Sequence, residues 1–153
     1  MTVRVIVPPE PIVSPADILG DHAADDVVVA AMIAAAQEDI DGPTGWLGRS
    51  LGVQTLELTV ERPCSPIIRL PFPPIIEVLE AWSGDDELPV DHFKPGSSEI
   101  AFVQLDRLLS SKKPARIRYR AGYDGVPVAE DGTGNVPGRA RQAIILTVKH
   151  AME

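Results

Sequence analysis

The sequence has little of what marks a disulfide-bonded, membrane-spanning or metal-binding protein. Its 153 residues include one cysteine, Cys64, so no disulfide can form within the chain, and the thiol is expected to pack in a loop. No apolar run reaches about 18 residues, and the N-terminus lacks the apolar region of a signal peptide. The sequence therefore predicts a soluble cytoplasmic protein with no membrane partner. The three histidines lack metal-ligand spacing, which predicts no metal site and no cofactor.

Positive charge is also scarce, and it is unevenly placed. The net charge is -8, which argues against a protein whose main task is to bind phosphate backbones. Residues 1–45 carry a net charge of -7, residues 46–111 carry -5, and residues 112–153 carry +4. A chain with an acidic and a basic end suits contact with copies of itself or with an oppositely charged partner. Ordinary solvated faces are the alternative interpretation.

Motifs of catalysis are missing as well. No Gly-x-Ser-x-Gly elbow occurs, and Cys64 has no neighbouring base that would activate it. The glycine-rich stretch 132–138 matches neither known phosphate-loop spacing. The acidic run Asp85, Asp86 and Glu87 suits a solvated hairpin turn better than a cation site. The sequence predicts a protein that is not an enzyme.

Helices are predicted at both ends of the chain. Prolines make residues 1–13 an extended arm, and the N-terminal helices occupy residues 14–45. Ser14 begins a short helix to about Leu19. A longer helix over 24–41 has Asp25 and Asp26 at its positive end. A C-terminal helix covers 137–152. The predicted buried stripes are Val29, Met32, Ile33, Ala36 and Ile40 in the long helix and Ala140, Ala143, Ile144, Thr147, Val148 and Ala151 in the last.

The middle of the chain, residues 53–122, has the alternation and the prolines of a β-rich region. Five strands are predicted: Val53–Glu61, Ile75–Trp82, His92–Phe93, Glu99–Leu105 and Ala115–Arg120. Short connections make them an antiparallel sheet or a small sandwich. The predicted fold is therefore α+β and a single domain of residues 1–153. Its helical core comes from the N-terminal helices and the C-terminal helix, with the sheet inserted between them.

The last predicted strand is unusually basic. Arg116, Arg118 and Arg120 recur at period two, so they share one face of the strand. Such a row suits a phosphate backbone or an acidic partner surface. The other interpretation is the solvent face of an edge strand that charge protects from mispairing.

Several segments, taken in order, resemble one known family. The segments are Asp25–Gly45, Leu51–Leu58, Ile117–Tyr123 with its Ala-Gly-Tyr end, Val136–Pro137 and Gln142–Leu146. Their order and spacing are similar to those of the head–tail connector, or adaptor, proteins of long-tailed bacteriophages, prophages and gene transfer agents. The likeness covers the chain from about Ser14 to His150.

The resemblance implies a structural virion protein. Members of the family form a ring, commonly of twelve copies, beneath the portal protein. The ring extends the DNA channel, through which DNA passes without specific binding, and presents a platform to stopper or tail-completion proteins. It implies a location at the head–tail junction of a virion or virus-like particle, and in the host cytoplasm during assembly.

Charge and position together give a hypothesis for the protein interfaces. In it, the acidic N-terminal helices of one copy face the basic strand or the last helix of a neighbour, or the last helix faces the portal. The residues concerned are Asp25, Asp26, Arg116, Arg118, Arg120, Arg139, Arg141 and Lys149. Two other functions stay open: a cytoplasmic protein–protein interaction module outside any virus, and a small nucleic-acid-binding protein that uses Arg116, Arg118 and Arg120.

Overall fold

The computed structural model describes residues 1–64, 67–90, 99–101 and 112–153. Within these ranges the chain forms two α-helices and seven strands, which confirms the predicted α+β class. In chain order the elements are β1 (Thr2–Val7), α1 (Val27–Glu38), β2 (Gln54–Val60), β3 (Ile67–Arg69), β4 (Ile75–Ser83), β5 (Asp86–Leu88), β6 (Glu99–Ala101), β7 (Ala115–Ala121) and α2 (Gly138–Met152).

Five of the strands form one antiparallel sheet in the order β1-β2-β7-β4-β5. The extended arm thus supplies an edge strand, which its sequence alone did not reveal because the partner strand lies about fifty residues further along the chain. Strands β3 and β6 form a separate antiparallel pair. Of the predicted strand Glu99–Leu105, residues 99–101 form β6. The rest of it, like His92–Phe93, lies outside the described residues.

The main sheet buries one face. Alternate residues of its two central strands, Leu56 and Leu58 of β2 with Ile117 and Tyr119 of β7, are almost wholly buried. The chain around β3 packs over this face, so the arrangement is a small two-layer structure. Burial raises the pKa of the Tyr119 hydroxyl, which donates a hydrogen bond of 2.6 Å to the carbonyl oxygen of Pro71.

A second core joins the two helices. Val29 and Ile33 of α1 are buried against Ile144 and Val148 of α2 in one apolar cluster. The stripe predicted for α1 is confirmed, since its remaining members are buried or partly buried. The stripe predicted for α2 was too wide: Ala143, Thr147 and Ala151 are exposed. Two buried residues one turn apart, Ile144 and Val148, are enough for α2 to contact α1.

The helix boundaries differ from prediction where side chains intervene. The carboxylate of Asp26 accepts hydrogen bonds from Val28 N (2.9 Å) and Val29 N (3.0 Å), so α1 begins at Val27 rather than near residue 24. The helix ends at Glu38 rather than at residue 41. Instead of a helix from Ser14, the chain forms one 3-10 turn over Pro15–Asp17. The last helix agrees with its prediction to within one residue.

A buried carboxylate joins the helical and sheet halves. Asp41, only 2% exposed, accepts four hydrogen bonds of 2.7–2.9 Å. The donors are the main-chain N–H groups of Leu51 and Gly52 and the side-chain amides of Gln37 and Gln54. Gln37 also accepts from Ile12 N and donates to the Glu10 carbonyl oxygen. The arm, α1 and the start of β2 are therefore fixed to one another by a single polar junction.

Candidate interaction surfaces

The basic strand lies in the middle of the sheet. Strand β7 pairs with β2 on one side and β4 on the other, so the edge-strand interpretation was wrong. The reason is that β2 and β4, which both lie far from β7 in the sequence, pair with it on opposite sides. Arg116, Arg118 and Arg120 do share one face of the sheet, opposite the buried apolar face.

Each of these three arginines has a partner within the same subunit. Arg118 lies between Glu57 (2.8 Å) and Glu80 (3.9 Å), and Arg120 lies 2.8 Å from Glu77. The acids come from the strands on either side, at or next to register with the arginines.

Two further contacts complete this face. The guanidinium of Arg116 lies over the ring of Trp82, 4.6 Å from its centroid. Arg4 of β1 lies 3.1 Å from Glu57, which is therefore held between two cations. The basic row of the sequence is thus largely charge-balanced in the structure: Arg118 and Arg120 are paired with acids, and Arg116, which contacts Trp82, is the one member of the row whose charge has no carboxylate beside it in the described structure.

The acidic run of the middle region lies at the β4–β5 hairpin. Asp86 begins β5, and its carboxylate lies 3.3 Å from the ammonium group of Lys113, with both side chains exposed. In the described ranges, no three or more His, Cys, Asp and Glu side chains come together as a metal site. Cys64 is exposed, so the expectation of a packed thiol was wrong.

The acidic side of the molecule surrounds α1. No lysine or arginine occurs in the sequence between Arg4 and Arg49. Asp25 is exposed in front of the helix, and Glu38 is exposed at its end. Asp26, by contrast, is occupied as the cap of α1.

The outer face of α1 is apolar although it is exposed. Val27 and Val28 are 81% and 65% exposed, and no charged residue occurs between them and Gln37. The other exposed residues of this face are Ala30, Ala31, Ala34 and Ala35. A surface helix of a free-standing domain normally places charged residues outward. An apolar outer face of this kind is typical of a helix that meets another protein.

A groove runs beside this face. It has a volume of about 690 Å³ and lies between Ala30 and Ala34 of α1 and the proline-rich arm. The arm side is formed by Pro8, Pro9, Pro11 and Pro15. Prolines and alanines make two smooth, short-chained walls, and Gln37, Glu38 and Asp41 are among the polar residues that also line the groove. The apolar walls suit a protruding apolar side chain.

The outer side of α2 carries the exposed bases of the helical half. Arg139 lies near its start and Lys149 near its end, and Leu146 between them is 56% exposed. Arg141 is turned inward: it lies 3.3 Å from Asp17 and donates to the Ile12 carbonyl oxygen. Hydrogen bonds from the Ser14 main chain and hydroxyl and the nearby charge of Arg141 lower the pKa of Asp17 against the opposing effect of burial.

The glycine-rich connection before α2 is an ordered loop. Asp124 accepts hydrogen bonds from Val126 N and Thr133 N, and the Thr133 hydroxyl donates to the Gly122 carbonyl oxygen. Burial raises the pKa of Asp124, but the hydrogen bonds that Asp124 makes with Thr133 and Val126 together lower it by more. The pKa of Asp124 therefore lies below its usual value. The loop holds Val126 and Val128 outward.

The predicted interface residues thus lie on three separate elements. The arginines of β7 are on the balanced sheet face, Asp25 and Asp26 precede α1, and Arg139 and Lys149 are on the outer side of α2. Sequence reasoning missed Trp46, which is 78% exposed in the loop after α1. Its position between Gly45 and Gly48 was the available signal.

Comparison with known proteins places the fold. No protein-family model matches the sequence, and no curated protein matches it. Solved structures do match. One is a chain from the neck of an empty gene transfer agent (GTA) particle, with a TM-score of 0.65 and 17% identity over 98% of this chain and 83% of that one. Another is a chain from the virion of a native GTA particle, with a TM-score of 0.67 and 16% identity over 99% and 84%.

These likenesses concern almost the whole chain rather than one motif. Because both identities are below 20%, what they show is a shared fold. Neither helix in the described part of the chain has the length and apolar character needed to cross a lipid bilayer.

Proposed function

We propose that this protein is a structural component of a tailed-phage-like particle, a head–tail adaptor that assembles as a ring of twelve copies beneath the portal protein. The ring extends the DNA channel and presents a platform to a stopper or tail-completion protein. The protein acts by contact and catalyses no reaction.

The apolar outer face of α1 is the observation that carries this proposal. A single copy leaves it uncovered, together with the groove beside it. Covering such a face with another protein chain removes apolar surface from water, which contributes a favourable free energy of about 25 cal/mol per Å² of buried apolar surface. The likeness to chains of GTA neck and virion particles supports a setting in which many chains meet.

The charges of the described surface favour passage of DNA over binding of it. Arg118 and Arg120 of β7 are paired with acids, Arg116 lies against Trp82, and the chain carries a net charge of -8. A phosphate backbone therefore finds few free cations and a general repulsion. This observation favours the adaptor over the nucleic-acid-binding alternative.

Electron microscopy of the purified protein mixed with the portal protein of the same genome tests the proposal. The expected result is a ring of extra density on one end of the portal. The protein alone is not a sufficient test, because oligomerisation depends on concentration and on the partner. A portal that stays bare at saturating protein would refute the adaptor function.

A further inference from the structure

We propose that the outer face of α1 and its adjoining groove in one copy bind the outer face of α2 of a second copy, with the two helices antiparallel. This inference rests on the proposed function, in which the protein forms a ring, and it identifies the interface between subunits of that ring. Both surfaces are uncovered in the single chain. The α1 surface has acids at its ends, and the α2 surface has bases at its ends.

The α1 surface has an apolar centre and an acid at each end. Val27 and Val28 are the most exposed large apolar residues of the helix. Asp25 and Glu38 flank this region: Glu38 is the last residue of α1, which is about 17 Å long from Val27 at 1.5 Å per residue, and Asp25 lies two residues before Val27. In the described structure, neither of these two side chains makes a hydrogen bond or an ion pair.

The α2 surface has the opposite charges in a similar arrangement. Arg139 and Lys149 are exposed near its two ends, about 15 Å apart along the helix axis. Ala143 and Leu146 are exposed between them. The long, flexible stems of arginine and lysine cover the remaining difference in spacing. Leu146 is the protruding apolar side chain that the groove beside α1 accepts.

Helix dipoles select the antiparallel orientation. Glu38 lies at the C-terminal end of α1, and Arg139 lies at the N-terminal end of α2. Each charge is at the end of its own helix where the dipole disfavours it. Antiparallel packing brings these two charges together and places Asp25 beside Lys149. Parallel packing would align the two dipoles and leave like helix ends adjacent.

The contact must form between copies. Within one copy, α1 already packs on α2 through Ile33 and Ile144, on the inner faces of the helices. The outer faces point away from each other and cannot meet. Since the two surfaces of the contact differ, each copy can bind a neighbour on both sides, which builds a closed ring when the rotation between copies closes.

Disulfide trapping between two single variants tests the contact. In a C64S background, which removes the exposed native thiol, V27C is mixed with H150C, whose cysteine lies at the facing end of antiparallel α2. The matched control mixes V27C with Q142C, about 12 Å away near the other end of the helix. Trapping is measured in concentrated protein and in the portal-bound complex.

The expected result is a V27C–H150C heterodimer at several times the yield of V27C–Q142C. Three results would overturn the inference: predominant V27C–V27C dimers, a higher yield with Q142C, or no mixed dimer in either sample. Mixed-dimer failure alongside a visible ring on the portal rejects this interface and leaves the adaptor function standing. Efficient trapping together with a portal that stays bare supports this interface and refutes the adaptor function.

The portal is the other candidate partner of α2. Under the proposal, R139E/K149E weakens association between copies. If that variant self-associates like the wild type and loses only portal binding, α2 serves the portal and the inference is overturned.

Discussion

Glu57 and Arg118 lie directly opposite each other on β2 and β7, with 2.8 Å between a carboxylate oxygen and a guanidinium nitrogen. The Glu57 side chain is 5% exposed, whereas that of Arg118 is 32% exposed. The pair therefore joins a nearly buried anion to a cation that still reaches water. Its acid is also held by Arg4 at 3.1 Å, so one carboxylate links three strands of the sheet.

We expect E57Q to lower the free energy of unfolding by about 2 kcal/mol, because the three charge-assisted hydrogen bonds that the carboxylate accepts, one from Arg4 and two from Arg118, are weakened or lost at a buried site. Urea unfolding followed by circular dichroism measures the change. The matched control is E77Q, which removes a partner of Arg120 at an exposed position and is expected to cost less than about 1 kcal/mol. Equal costs for the two variants would contradict the role assigned to burial.

The junction at Asp41 gives a second prediction. All four of its hydrogen-bond partners are N–H donors, so in D41N an amide N–H₂ group would face donors at a buried site. We expect a loss of about 3 kcal/mol in the free energy of unfolding. D39N, two residues away and exposed, should change it by less than about 0.5 kcal/mol. A mild effect of D41N in the same urea titration would show that the junction can rearrange.

The ordered loop before α2 predicts a pH dependence. The pKa of Asp124 is lowered in the folded chain, so its contribution to stability is fully present above the unfolded pKa of about 3.9 and is lost as the pH falls through the folded pKa. D124N should be less stable than the wild type at pH 7, and the difference should narrow below about pH 4. Thermal unfolding from pH 7 to pH 2.5 measures it.

The control for this loop is D131N. Its side chain makes none of the hydrogen bonds described for the loop, and asparagine tolerates its left-handed backbone (φ 61°). The difference in unfolding temperature between this variant and the wild type should stay constant from pH 7 to pH 2.5. A D124N difference that stays constant with pH would contradict the assignment.

The proposed contact between copies predicts a charge-swap pattern. D25K/E38K and R139E/K149E should each raise the dissociation constant of self-association at least tenfold, because like charges then face each other at both ends of the helices. The quadruple variant and an equimolar mixture of the two doubles should recover it. Sedimentation velocity measures association. Failure of both rescues would show that the losses do not come from these pairs.

Salt distinguishes the electrostatic part of the same contact. Raising salt from about 0.05 M to 0.5 M should weaken wild-type association, since exposed charges are screened over a few ångströms at the higher concentration. V28S is the complementary variant, because it removes apolar contact and leaves the charges unchanged. Its association should be weaker than that of the wild type at every salt concentration, with the same salt dependence.

Local patterns were sufficient to predict the two α-helices and the central strands, although the short helix expected from Ser14 is only a 3-10 turn. The i, i+4 spacing of Val29 and Ile33 marks the buried side of α1, and the alternation in β7 marks its two faces. These signals are local because a helix or strand repeats its environment every few residues. They identified the α+β class from the sequence.

The long-range pairings were not available in the same way. Nothing near residues 2–7 indicates that β2 is their partner, and nothing near Arg118 indicates that Glu57 and Glu80 will neutralise it. Such contacts depend on topology, which brings together residues about 30 to 70 positions apart in the sequence. The same distinction applies to the outer face of α1. Its run of alanines is visible in the sequence, whereas the groove beside it can be located only when the position of the arm in the folded chain is known.

The alternation of charge on the sheet face has an effect beyond the stability of single pairs. Three cations, Arg4, Arg118 and Arg120, are interleaved with three anions, Glu57, Glu77 and Glu80, across neighbouring strands. Each of the six charges lies within 4 Å of an opposite charge, which is shorter than the Debye length of about 8 Å at physiological salt. At a greater distance, an approaching polyelectrolyte therefore experiences from these six residues a surface that neither attracts nor repels it.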